Sequence, residues 1–186
     1  MRSGKDPLKF GNSSNRAAGR GPFGACIERI IPMRVLLQRV SQAAVAVEAI
    51  TIARTGQGFL ALVGIGAEDE ADGGAALEPM AQKVLGLRVF ADEKQKMNRS
   101  IVEAGGEVLA VSQFTLHADC RKGRRPSFTG AARPAAALTM FDRFVELLRA
   151  GGLTVRTGRF GAMMEVSLIN DGPVTIWLDS AELVRR

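Results

Sequence analysis

The sequence predicts one layered α/β domain with a mostly strand-built core. Three observations predict it. The chain has 186 residues, 46% apolar and 24% charged, the proportions of a single globular unit with at most a tail. Short apolar runs, alternating or continuous, recur between glycines and polar turns, as strands do. Two longer stretches repeat apolar residues at spacings of three and four, as helices packed on a core do. No run of 18 apolar residues occurs, so no membrane-spanning helix is expected.

Residues 1–32 read differently from everything after them. Glycine, serine, asparagine and arginine dominate without a sustained apolar period, so this stretch has little to bury and reads as a disordered N-terminal extension. It holds six basic and two acidic residues, which leaves only two of the chain's +6 excess charges to the rest. Attraction for a polyanion in the body must then come from a local patch. Three origins of the extension stay open: an upstream stretch ahead of a working start at Met33, an Arg-rich targeting presequence without a clear amphipathic stripe, and a nucleic-acid-binding arm. The first is favoured, because Met33 directly precedes a strand pattern, and the folded domain is taken as residues 33–186.

From Met33 the elements follow in order. Val35, Leu37 and Val40 begin one strand, Val45 and Val47 lead into Ile50 and Ile52, and residues 59–65 form a continuous apolar run between Gly58 and Gly66. That gives three strands in meander order. Residues 68–87 start acidic and place Leu77, Met80, Val84 and Leu87 on one helical face, with Gly73, Gly74 and Pro79 blurring the beginning. Residues 87–90 read as a short strand and 106–116 as a better one. Pro134 opens a second helix whose Leu138, Phe141, Val145 and Leu148 form a stripe, ended by Gly151 and Gly152. Residues 153–157, 164–169 and 174–178 supply three final strands.

Several chemistries are excluded. His117 is the only histidine, and its neighbours Asp119 and Cys120 cannot converge with it on a tetrahedral ion, so no metal is expected. Gly64-Ile65-Gly66 starts like a dinucleotide loop, but Asp69 stands where the third glycine belongs and no GxxxxGK[ST] occurs, so no cofactor is expected. Cys26 and Cys120 form no CxxC and argue for a reducing, cytoplasmic setting. If residues 112–117 continue a strand, Thr115 and His117 share a face and could meet. No third group orients the imidazole, however, and Thr115 reads more simply as a hydrogen-bonding wall residue.

Two polar segments interrupt apolar strands. One is Ser112-Gln113-Phe114-Thr115-Leu116, followed by Arg121-Lys122-Gly123-Arg124-Arg125-Pro126-Ser127-Phe128; the other is Asn170-Asp171-Gly172-Pro173-Val174-Thr175. Four basic residues in five positions suit RNA phosphates, and equally a solvated loop. Asp171-Gly172 is turn chemistry, and Pro173 removes an amide donor where the next strand begins.

Together with Gln38-Arg39-Val40, Lys96-Met97-Asn98, Thr157-Gly158-Arg159-Phe160 and Val166-Ser167-Leu168-Ile169, these segments resemble the D-aminoacyl-tRNA deacylase family, in order from residue 33 to about residue 179. The resemblance implies a three-layer β/β/α sandwich and a homodimer with active sites at the subunit interface. It implies hydrolysis of the ester joining a D-amino acid, or glycine mischarged on alanine tRNA, to the terminal adenosine of tRNA, with no DNA or membrane partner. By position, Ser112, Gln113, Phe114, Thr115 and Leu116 match the segment lining the pocket, the first four being the catalytic candidates. Gly172 and Pro173 match a motif that enters the partner subunit's pocket with a cis peptide, Arg39 matches the arginine bracing it, and Met164 matches a methionine near the adenine. Residues 117–122 depart from the family pattern. An aminoacyl ester is already activated, so positioning and an oxyanion site suffice, for which backbone amides near Phe114 and Thr115 are candidates. The rival expectation is a non-catalytic nucleic-acid-binding protein on the same fold.

Overall fold

The fold is taken from a computed structural model that describes residues 33–183; the expectations for residues 1–32 lie outside the described residues. Strand β1 (Arg34–Val47) is long enough to pair with three neighbours. Its first half pairs antiparallel with β3 (Gly58–Gly64), its second half with β2 (Ile50–Thr55), and both halves pair with β8 (Glu165–Asp179). Beyond β3 the sheet continues in parallel through β6 (Glu107–Ser112) and β7 (Thr154–Thr157). A small antiparallel pair, β4 (Phe90–Ala91) with β5 (Met97–Arg99), stands apart.

Two apolar clusters separate three layers. In one, Val35, Leu37, Phe59, Ala61, Val63, Val108 and Ala110 of the sheet meet Leu77, Met80 and Val84 of α2 (Leu77–Gly86) and Phe141, Phe144, Val145 and Leu148 of α3 (Pro134–Ala150). In the other, Val40, Ala43, Val45 and Ala53, from the far half of the β1–β2 hairpin, fold back over Leu60, Leu109 and Val111. Strand β3 is thus covered on both faces, Phe59, Ala61 and Val63 toward the helices and Leu60 and Leu62 toward the folded-over sheet. This is why its sequence is a continuous apolar run rather than an alternation. Gly58, opposite Glu107, lets β3 and β6 approach, since an added Cβ would collide with the Glu107 carbonyl.

The structure differs from the sequence reading at several elements, and the first three strands form no meander, because β3 pairs with β1 and not with β2. The helix expected over residues 68–87 is two, α1 (Ala67–Ala71) and α2, because Gly73 and Gly74 both take positive φ, 72° and 81°, and turn the chain between them. Strands 164–169 and 174–178 are one strand, β8, with a bulge: Val40 pairs Asn170 and Gln38 pairs Thr175, so residues 171–174 stand against Arg39 alone. Strand 106–116 ends at Ser112, and Phe114–His117 is a 3-10 turn. Leu138, expected in the core stripe of α3, is 39% exposed, and Phe144 takes the buried place.

Candidate active site

The first polar segment sits where two adjacent parallel strands end. Parallel β3 and β6 bring Val63 level with Ser112, and the Gln113 amide still donates to the Val63 carbonyl at 2.7 Å. The chain then coils into the turn, with the Leu116 amide donating to Gln113 at 3.2 Å and the Ala118 amide to Thr115 at 3.0 Å. Tight coiling leaves the first amides of a 3-10 turn without intrahelical acceptors. Among the described residues those of Phe114 and Thr115 have no acceptor. Both side chains are exposed, and the Gln113 amide nitrogen donates to the Thr115 hydroxyl.

Two basal contacts fix this turn. Arg34, at the start of β1, donates through Nη1 to the Leu116 carbonyl at 2.9 Å and through Nε to Asp179 at 3.2 Å, with its guanidinium 5.6 Å from the Trp177 ring centroid. His117 is buried beneath the turn, with the Gly64 backbone close to its ring. Burial, opposed by that backbone contact, holds its pKa below the usual value of 6.5. A strand would put Thr115 and His117 on one face. The turn instead rotates the chain by roughly 120° per residue, so Thr115 faces solvent while His117 faces the core. The Thr115–His117 pair is therefore not formed.

The second polar segment is the β8 bulge. Arg39, largely buried, ion-pairs with Asp171 at 3.1 Å, donates through Nε to the Asp171 carbonyl at 3.3 Å, and donates through Nη1 to the Val89 carbonyl. Gly172 has φ 97°, and a Cβ there would run into the Arg39 guanidinium. The expected cis bond before Pro173 is absent: no peptide bond among the described residues is cis. The positive φ at Gly172 makes the reversal within the bulge, and the trans bond keeps its usual preference of about 0.5–1 kcal/mol.

Within one chain the two segments do not meet. Strands β1 and β3 lie between β8 and β6, which is three interstrand spacings, about 14 Å of sheet. Gly172 and Pro173 are exposed. Met164 is nearer the first segment: it packs on the cluster containing Leu109 and Val111, just before Ser112, and its sulfur stands 2.6 Å from where a Gly158 Cβ would be.

Besides Phe128, which sequence reading quoted with the basic run, residues that it passed over also belong here. Phe128 meets Phe114 edge to face, ring centroids 5.0 Å apart, both rings substantially exposed. Arg34 and Asp179 hold the turn from below, and nothing in a strand-start cation signals that role from sequence.

Comparison with known proteins follows the same residues. The sequence profile described as D-Tyr-tRNA(Tyr) deacylase matches residues 36–179. The chain is 58% identical over 151 residues to a D-aminoacyl-tRNA deacylase of Thermomicrobium roseum, covering 81% of this chain and 96% of that protein. It is 58% identical over 149 residues to a D-aminoacyl-tRNA deacylase of Chromobacterium violaceum, covering 80% of this chain and 97% of that one. A solved structure titled c-Myc DNA Unwinding Element Binding Protein superposes with a TM-score of 0.72 at 40% identity, over 78% of this chain and 97% of that one. Another, titled a probable eukaryotic D-amino acid tRNA deacylase, shares the fold with a TM-score of 0.67 at 20% identity, over 79% and 98%. With the profile spanning both polar segments and the sheet between them, the chain belongs to the D-Tyr-tRNA(Tyr) deacylase family of ester hydrolases.

Proposed function

We propose that this protein hydrolyses the ester between a D-amino acid and the terminal adenosine of tRNA. The observation that carries the reading is the family match across residues 36–179, which takes in both polar segments. The geometry supports it. The turn after Ser112 offers the unengaged amides of Phe114 and Thr115 as donors to a developing oxyanion, with Ser112, Gln113 and Leu116 adjoining them along the same stretch of chain. Preorganised donors of this kind are each worth about 10²–10³ in rate. No acid–base pair is needed for an activated ester, and water or the substrate's 2′-hydroxyl attacks the carbonyl.

Chiral choice falls to Gly172 and Pro173, exposed and remote from the turn of their own chain. In a homodimer they reach the partner subunit's pocket, and Met164 borders the adenine. Arg39 holds the bulge rigid, so an L side chain meets main chain that cannot move aside, while glycine, without a side chain, passes. Each tenfold of discrimination needs about 1.4 kcal/mol of differential transition-state energy.

The test is the full-length protein assayed on D- and L-aminoacyl-tRNA. Turnover of the D ester alone is expected, and no turnover of either would overturn the reading. Pro173→Ala is expected to raise L-ester hydrolysis with little change on the D ester. Thr115→Ala is expected to keep activity within about tenfold, because Thr115 is a wall and not a nucleophile; complete loss in a folded variant would point to covalent catalysis.

The likeness to the c-Myc DNA Unwinding Element Binding Protein favours a second reading, nucleic-acid binding without catalysis. Tight, salt-sensitive binding to duplex DNA with no ester turnover would select it.

A further inference from the structure

The positive charge of the folded body is concentrated in one place. Residues 119–127 hold Arg121, Lys122, Arg124 and Arg125 against the single carboxylate of Asp119, whereas the remainder of residues 33–186 holds fifteen basic and sixteen acidic residues. These nine residues form a closed hairpin. At its base the Asp119 amide donates to Ser127 at 2.7 Å and the Ser127 amide to Asp119 at 3.0 Å. Arg121 is tied back to Asp119 through its side chain. Lys122, Arg124 and Arg125 are exposed and have no acidic partner among the described residues.

The hairpin is also anchored to the candidate site. It follows the turn directly, through His117 and Ala118, and Phe128 just beyond its base packs edge to face on Phe114 of that turn. Exposed like charges at one tip repel one another. A free solvated loop would spread them; here a paired base and a ring contact hold them beside the turn.

Resting on the deacylase reading, we propose that this hairpin is a phosphate clamp for the single-stranded acceptor end of tRNA. Lys122, Arg124 and Arg125 would contact backbone phosphates just upstream of the terminal adenosine while the turn holds the ester. Four residues at full extension put the tip about 13 Å beyond the base, within reach of only the last few nucleotides. The rest of the body, near neutral, adds no competing positive field. Contacts of this kind carry no sequence information and act through affinity and register.

The test compares the full-length protein with its Lys122→Ala/Arg124→Ala/Arg125→Ala variant. The N-terminal charges are common to both and cancel. Binding of uncharged tRNA is expected to weaken about ten- to fiftyfold at moderate salt, and the salt-dependence slope to shrink by about two, from about 0.7 per single-strand phosphate lost. On D-aminoacyl-tRNA, KM rises and kcat stays. On a D-aminoacyl-adenosine, which lacks those phosphates, kcat/KM is unchanged. A variant with both arginines replaced by lysine is expected to retain binding, since point charges suffice for phosphate. Unchanged tRNA binding, or equal loss on tRNA and on the adenosine ester, would overturn the clamp. So would an equal drop in affinity for duplex DNA bound as tightly as tRNA. Absence of turnover in the unaltered protein defeats the deacylase reading instead, and the tRNA-binding comparison still decides the clamp.

Discussion

Asp69 shows how one buried carboxyl can set a pH dependence far from any chemistry. It caps α1, accepting the Gly66 amide at 2.7 Å, and is almost wholly buried. Burial outweighs the Gly66 and Met33 backbone hydrogen bonds and raises its pKa from 3.8 to about 6. An acid whose folded pKa is raised stabilises the fold below its unfolded pKa, and that contribution is lost as pH rises through the folded one. Relative to Asp69→Asn, the unaltered protein is therefore expected to lose up to about 3 kcal/mol between pH 4 and pH 7. His117 works in the opposite sense. Its pKa is lowered by burial, so its contribution is present above 6.5 and lost as pH falls. Because His117 is common to both proteins it cancels in the difference. Urea unfolding of the pair at several pH values checks this; a difference independent of pH would show Asp69 to be ionised throughout.

At the scale of elements, what was legible in the sequence was what tertiary packing reinforces. Strand β3 reads as a continuous apolar run because both of its faces are covered, and α3 begins at Pro134 and ends before Gly151 as its punctuation says. The turn after Ser112 was not legible as a turn. Phe114 and Leu116 alternate with Thr115 and His117 as in a strand, and only burial of His117 below Gly64 distinguishes the two. The residues of the candidate site could be named from motif order, but their support could not. Arg34 binds the Leu116 carbonyl through contacts 82 residues apart in sequence, and no local period records that. Arg34→Ala is expected to lower kcat about ten- to hundredfold by letting the turn shift, with KM for tRNA little changed and Arg34→Lys restoring part of the rate. A fall in stability with kcat intact would make Arg34 a merely structural residue.

For the whole molecule, the unpaired side of β8 matters most. Among the described residues β8 pairs only with β1, and along it Ile169 and Trp177 are 54% and 46% exposed. An open edge strand with large apolar side chains is a pairing surface unless covered, and a second copy of this chain covers it in the dimeric reading. Sedimentation is expected to give twice the chain mass. Ile169→Asp, an exposed substitution costing a lone chain little, is expected to give monomers without deacylase activity. Trp177, the sole tryptophan, should shift its emission as the dimer dissociates. A monomeric and fully active protein would remove the cross-subunit part of the mechanism.

The pairing of Arg34 with Asp179 has a further consequence, for biosynthesis. The central strand of the sheet is made first and its flanking strand last, so a growing polypeptide on the ribosome must carry one naked ladder of amides and carbonyls until translation is nearly finished. Loop closure over so long a span delays completion of the native state. Premature termination shortly before residue 165 would therefore yield a product that chaperones or proteases must handle, rather than a slightly shortened enzyme.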